Sequence, residues 1–220
     1  MLPVADSNQK GDLSMMLKQL SLGALDTNCY FLADEQTHTV AVIDPAADAP
    51  KILATLQENG WTAKYIIITH AHIDHIAALD DVAKATGAKV VLHNADRNIL
   101  NNDALCLALY FGLPAPKVPA DILVNDGDTL SIGNLTLTFI HTPGHNPGSM
   151  CILVDDTLIA GDTLFYESVG RVDHYGGDYQ TILRSLNRLM ELDDAVKVYP
   201  GHGPATTIGH ERMHNPYIRS

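Results

Sequence analysis

YIIITHAHIDHIA, residues 65–77, decides how the rest of the chain is read. An apolar β-branched run closes on Thr69, and His70, His72, Asp74 and His75 follow within six positions. Bulky apolar residues resume with Ile76 and Leu79. This is the pattern of a buried strand that delivers its C-terminal end into a loop, with a helix starting near Asp74. Open α/β sheets place their chemistry at such carboxyl ends. His70 and His72 are two residues apart, so extended backbone points both side chains to one side. Asp74 and His75 are adjacent and splay apart at a helix start, so the four groups address two neighbouring points. That geometry suits a pair of metal ions roughly 3.5–4 Å apart. Taken singly, a histidine at a strand end is usually just hydrogen-bonded, and Asp74 could cap the helix. Four together are too costly to crowd without a cation.

Composition narrows the possibilities. The 220 residues are 46% hydrophobic, enough for a sizeable core. A formal charge of −12 with no basic run argues against nucleic acid as a partner. Eleven histidines point towards metal, and bound divalent cations would offset part of the acidity locally. Cys29, Cys106 and Cys151 are widely spaced and form no CxxC, which favours a reducing compartment. The start, MLPVADSNQKGDLSMM, has no apolar stretch of signal-peptide length. No run approaches the roughly 20 apolar residues of a membrane helix. The expectation is a cytoplasmic protein with no membrane partner. Its oligomeric state is not legible.

Residues 1–14 are polar and are expected to form a flexible N-terminus. MMLKQLSL, TNCYFLAD and TVAVIDP then read as three strands of an antiparallel meander. A helix is expected over 48–59 with Gly60 as its stop, a strand over 64–69, a helix over 74–86 stopped by Gly87, and a short strand over 89–92. Residues 95–112 read as one helix or two short ones, offering Leu100, Leu105, Leu107, Leu109 and Phe111 for burial. With the Pro-containing loop to 118 they form either a mobile cap beside the site or an ordinary insertion. Strands resume from Ile122, followed by a helix over 178–191 and a strand over 196–199. The expected fold class is α/β. Residues 15–220 would form one domain, an αββα sandwich of two mixed β-sheets with helices on the outer faces.

Every candidate ligand follows an apolar strand: His70 and His72 after YIIIT, His145 after LTLTFI, Asp162 after TLIAG, His202 after VKVYP. Glycines flank the last three, and glycine permits close approach and sharp turning. Sorting by geometry assigns His70, His72 and His145 to one metal, and Asp74, His75 and His202 to another. Asp162 is the natural bridge, because a carboxylate has two oxygens to share. Two such cations lower the pKa of a bridging water, so hydroxide exists near neutral pH, and they stabilise an oxyanion. Asp74 is also the candidate catalytic residue, orienting that hydroxide through its free oxygen. Of the other histidines, His38 and His93 read as surface or strand-end groups, and His141 as a partner hydrogen-bonded behind the ligands. His174, His210 and His214 lack the glycine-flanked strand-end context. The three cysteines read as small buried apolar residues.

THAHIDH, TPGH, GD and PGHG, in this order, resemble the metallo-β-lactamase superfamily over roughly residues 15–210. TNCYFLAD, VIDPAAD, HTPGHNPGS, GDTLF, VGRVD and ERMHNP are similar to its short bacterial glyoxalase II-like (hydroxyacylglutathione hydrolase-like) branch. The resemblance implies hydrolysis of a small-molecule thioester, S-lactoylglutathione, to lactate and glutathione. It implies two divalent metal ions, zinc foremost with iron or manganese as alternatives, on His70, His72, Asp74, His75, His145, Asp162 and His202. Arg171 resembles a basic residue that binds the carboxylate of the thiol; the alternative is a surface arginine. Tyr175 and Tyr166 are candidates to wall the pocket, and Phe165 reads rather as core. Longer glyoxalase II proteins add a C-terminal helical domain that helps hold glutathione, and this chain ends 18 residues after His202. Glutathione specificity is therefore the weaker part of the implication. Rival readings are a persulfide dioxygenase-like mononuclear iron oxygenase using His70, His145 and Asp162, and a lactonase or β-lactamase on the same frame. RNA processing conflicts with the charge, and a metal-bearing interaction module would leave a complete site idle.

Overall fold

The computed structural model describes residues 15–218, so the expected flexible N-terminus lies outside the described residues. Strands β1 (Met15–Leu22), β2 (Thr27–Asp34) and β3 (Thr39–Ile43) form the expected antiparallel meander. Parallel strands β4 (Thr62–Ile68), β5 (Lys89–His93) and β6 (Ile122–Val124) extend it into a six-stranded sheet in sequence order. The second sheet takes β7 (Thr129–Ile132), β8 (Leu135–His141), β9 (Met150–Val154) and β10 (Thr157–Gly161). A small hairpin follows, β11 (Leu164–Phe165) with β12 (Ser168–Val169). β13 (Lys197–Pro200) and β14 (Thr206–Thr207) complete the second sheet in the order β14-β13-β10-β9-β8-β7.

Period-two side-chain placement makes both sheets two-faced. Tyr30, Leu32, Ala41, Ile43, Tyr65 and Ile67 meet Leu135, Leu137, Phe139, Ile152 and Ile159 in the inner layer. Phe31, Val42, Ile66 and Ile68 face outward onto helices α1 (Ala49–Glu58), α2 (Ile73–Ile76) and α3 (Leu79–Thr86). Ile140, Cys151, Leu158 and Val198 pack outward with the later helices of the chain. The result is the αββα sandwich that the strand pattern predicts. A fully buried large aliphatic side chain contributes ~1.5–3 kcal/mol and an exposed ion pair ~0–1 kcal/mol, so the apolar layers hold the sheets together.

The departures from expectation have local causes. The helix expected over 74–86 is broken into α2 and α3, because Ala78 N–H bonds Pro45 O across the gap. Residues 95–112 form mostly turns, with only α4 (Ala108–Phe111) helical. Leu107 adopts a left-handed φ of 66°, and Asn102 Oδ1 accepts the amides of Ala104 and Leu105, which closes a turn in place of a helix. Of the apolar residues offered for burial there, Leu100 is buried, whereas Leu109 and Phe111 are exposed. Two helices close the chain, α5 (Tyr179–Leu189) and α6 (Ile208–His214). The second was not expected from the sequence; it carries the buried Glu211, which accepts from Thr206 Oγ1, Asn215 Nδ2 and the Glu167 amide. Among the described residues, no helix is long and apolar enough to cross a membrane.

The sandwich turns the carboxyl ends of β3, β4, β5, β8, β10 and β13 towards one edge. Gly144, in the loop after β8, has φ 130° and lies against α5; a Cβ there would collide with the backbone of Ile182. Gly144→Ala is therefore expected to lower the free energy of unfolding by about 2 kcal/mol or more. Denaturant titration checks this, and an unchanged midpoint would show that the loop has room to move.

Candidate metal centre

Four loops at that edge converge. His70 leaves the end of β4, and His72 occupies extended backbone at φ −84°, ψ 145° immediately before α2. Both reach His145, whose Nε2 lies 3.1 Å from His70 Nε2 and 3.0 Å from His72 Nδ1. About 3.3 Å separates two nitrogens bound to one tetrahedral zinc at about 2.0–2.1 Å, so this trio has the spacing of a ligand set. The second group is Asp74, His75 and His202. Asp74 Oδ2 is 3.6 Å from His75 Nε2 and 3.3 Å from His202 Nε2. Asp162 stands between the groups: one oxygen is 3.4 Å from His75 Nε2, and the other is 3.6 Å from His145 Nε2 and 3.5 Å from His202 Nε2.

The fit to metal can be tested on the residues themselves. His75, His145 and His202 are each tethered through Nδ1, to Asp44 Oδ2 (2.9 Å), Arg171 O (2.7 Å) and Leu25 O (3.0 Å). A donating Nδ1–H leaves each Nε2 lone pair free to bind a cation. Among the described residues, His75 Nε2 and Asp162 Oδ1 are buried without any hydrogen-bond partner. Such orphaned atoms are costly unless something binds them. Gly201 is needed at the same place, since a Cβ there would collide with the Asp162 carboxylate and crowd the His75 ring.

Residues 22–202 match the family model of the metallo-beta-lactamase superfamily. The chain belongs to that superfamily. The probable metallo-hydrolase YqgX of Bacillus subtilis (strain 168) is 36% identical over 209 residues, covering 93% of this chain and 98% of the relative. Hydroxyacylglutathione hydrolase GloC of Haemophilus influenzae is 29% identical, covering 94% and 99%. Among solved structures, BLEG-1 B3 metallo-beta-lactamase superposes with a TM-score of 0.89 at 38% identity, covering 93% of this chain and all of that one. TTHA1623 in a di-iron-bound form gives 0.82 at 34% identity, covering 91% and 99%. The recognition of the superfamily, with a hydroxyacylglutathione hydrolase among the relatives, and the fold class stand as expected. The His/Asp cluster is that of a divalent-metal site.

The electrostatics of this superfamily site follow from burial. Burial, then the neighbouring imidazoles, holds His70 and His72 well below the usual histidine range, so both are neutral as ligands must be. Burial opposes charge on His75 too, but Asp162, Asp74 and Asp44 outweigh it and raise its pKa well above the usual value. Burial would raise Asp162, yet His75, His145 and His202 together drive it far below the usual carboxylate value.

Three residues that the sequence reading passed over shape this site. Asp44, at φ 53°, accepts from the Thr69 amide (2.8 Å), Thr69 Oγ1 (2.7 Å) and His75 Nδ1, fixing the end of β4 and the ring of a ligand. Its signal was the VIDP strand end. Asp96 is buried and accepts from the amides of Ala71 (2.8 Å) and Gly148 (2.7 Å), joining the two loops that carry His70, His72 and His145. His174 lies edge-on to His72 and His145, with ring centroids 4.6 and 4.7 Å away. Its buried Nε2 has no hydrogen-bond partner among the described residues.

The remaining expectations fall as follows. Arg171 reaches the site through its backbone carbonyl; its side chain is 79% exposed and forms a two-point ion pair with Asp173 at 2.9 Å. Tyr175 and Tyr166 are exposed, the latter stacked on His210. Phe165 is half-buried with its ring 6.1 Å from that of His202, so it stands beside the site instead of in the core. His141 donates from Nε2 to Pro147 O (2.9 Å) in the His145 loop and stacks on the buried His93. All three cysteines are buried and free.

Two predictions follow from the clamp and the bridge. Burial pushes the Asp96 carboxyl up to about 7, outweighing its two amide donors. Its folded pKa thus exceeds the unfolded value of about 3.9, and the stability it confers is complete below about pH 4 and lost as pH rises through 7. Asp96→Asn is expected to cost about 1–3 kcal/mol by opposing an amide to an amide, and to flatten that slope in denaturant titrations from pH 4 to 7. Asp162→Asn is expected to hold fewer metal ions per chain than the wild type by elemental analysis; equal content would remove the bridging role.

Proposed function

We propose that the protein is a metal-dependent thioester hydrolase, acting on thioesters such as S-lactoylglutathione. The carrying observation is the complete second ligand group, Asp74, His75 and His202, sharing Asp162 with the first. A mononuclear iron oxygenase using His70, His145 and Asp162 would leave that second group without use. The thioester part draws on the likeness to GloC and on the motifs around His145 and Asp162, HTPGHNPGS and GDTLF, which resemble the glyoxalase II-like branch. Two divalent cations, zinc foremost, would supply an activated water at neutral pH and polarise the thioester carbonyl.

The chain's own groups do the rest. The three tethered histidines present Nε2 in fixed directions, so ligand geometry is set before substrate arrives. Asp74 turns Oδ2 to His75 and His202, which leaves Oδ1 to orient the nucleophile and take its proton. The Arg171 carbonyl and the His174 ring lie against His145 and His72, which supports a role for this loop's Arg171 and Tyr175 at the thiol part of the substrate. An exposed ion pair contributes little, and Arg171 can exchange Asp173 for a glutathione carboxylate. The likeness to BLEG-1 favours a second reading, β-lactam hydrolysis on the same frame.

Turnover of a thioester panel, with and without glutathione as leaving thiol, beside a β-lactam panel, decides between these readings. Hydrolysis is expected to continue without oxygen; strict dependence on oxygen would instead support the oxygenase. Asp74→Asn is expected to lose about 10²–10⁴ in kcat. Full metal content with unchanged turnover would refute its orienting role. Arg171→Ala is expected to raise KM several-fold for glutathione thioesters only, leaving kcat and other thioesters unmoved.

A further inference from the structure

An apolar cavity of about 130 Å³ opens beside Asp74, and neither His174 nor Arg171 belongs to its lining. Its walls come from three places in the chain. Leu25 stands in the β1–β2 turn, Ala46 and Ala47 follow β3, and Phe111 and Leu113 reach over from the turn-rich excursion after β5. Ile73 lines it beside Asp74. Leu25, Phe111 and Leu113 are 47%, 38% and 44% exposed, large apolar groups gathered at one mouth instead of scattered. The cavity adjoins the metal centre at two points: Asp74 belongs to its wall, and the carbonyl of Leu25, another wall residue, holds His202 Nδ1.

The lining contains no cation. Its polar side chains are Asp74, which faces the centre, and Thr27, whose buried hydroxyl has no partner among the described residues. That hydroxyl is as unpaired beside an alkyl chain as without one, so it does not count against an apolar occupant. A carboxylate-bearing thiol would meet Asp74 and no compensating charge. We propose that this cavity is the acyl subsite of the enzyme and takes a short, unbranched aliphatic chain. At ~30 Å³ per water-sized group, it holds roughly four carbons beyond the carbonyl. The thiol half of the substrate then leaves outside this cavity, beneath the loop of Arg171 and His174. The inference deepens the thioester reading and rests on it for the identity of the bond that breaks.

Binding of straight-chain carboxylates to the metal-loaded protein tests the subsite apart from any turnover. Calorimetric affinity is expected to rise about fourfold per methylene from acetate to pentanoate and to level off at hexanoate and heptanoate. Ala77→Leu, an exposed position on the rim, narrows the cavity and is expected to flatten the series. Leu113→Ser removes an apolar wall and is expected to lower its slope. Elemental analysis confirms that each variant keeps its metal. A series flat in the wild type overturns the subsite. So does a flat series in a protein that sediments as a dimer, which would assign Leu25, Phe111 and Leu113 to contact with a second copy. Thioesters of one thiol with the same acyl chains are run alongside. If none is hydrolysed while the carboxylate series rises, the bond assignment fails and the subsite stands.

Discussion

Asp162 lies within 3.6 Å of three histidines carried by three separate loops, and that crowding is the constraint from which the site's other features follow. Taking an ion out of water costs several kcal/mol even after the protein relaxes. Here one carboxylate and a ring of imidazoles are buried together, two of their facing atoms with no hydrogen-bond partner among the described residues. Protons alone cannot settle such a cluster. Protonating His75 suits Asp162 but sets a charge beside His70, which burial keeps neutral. Divalent cations remove the conflict, because they bind neutral imidazole nitrogens and carboxylate oxygens at once.

The cluster sits on the seam between the two sheets, so its geometry depends on how they are joined there. His70, His72 and His75 come from the first sheet, and His145, Asp162 and His202 from the second. Hydrogen bonds stitch that seam close to the ligands. Met150 N–H bonds Thr69 O (3.0 Å), Asn28 N–H bonds Gly201 O (2.8 Å), and Tyr30 OH donates to Pro200 O (2.7 Å). Asp96 crosses it as well, through Ala71 and Gly148. The apolar inner layer brings the sheets together without direction; these few polar links set the register in which the ligands meet.

How much of this was legible follows from the range of each interaction. The sheets were legible because period-two burial is local: TNCYFLAD is buried along its whole length and YIII alternates between the two faces. The residues that converge at the candidate metal centre were legible because four of them share one short loop, and the others follow apolar strands with glycine beside them. Asp96 was not, since nothing near it in sequence records that it bonds Gly148, 52 residues away. His174 was passed over because its partners are rings from distant loops, not its neighbours. The turn-rich excursion was misread as helix because its apolar spacing fits a helix. Asn102 and Asp103 capture nearby amides there and win locally, and Leu109 and Phe111 are left facing outward.

That excursion also shows how the fold separates chemistry from selection. Its base is fixed: Ile73 N–H bonds Cys106 O (2.8 Å), and Asp80 accepts the amides of Lys117 and Val118 (each 2.9 Å to Oδ1). Its inner residues Leu100, Cys106 and Ala108 belong to the core beneath the helices. Its outer residues Leu109, Phe111 and Leu113 are exposed. A substitution at Phe111 or Leu113 therefore changes what enters beside Asp74 without moving a metal-binding atom, whereas one at Asp44 or Asp96 moves the atoms and leaves the wall intact. Strand ends that meet at a seam cannot drift without dismantling the inner layer, but loops pinned only at their bases can. The same frame can therefore keep one reaction centre while its substrates change.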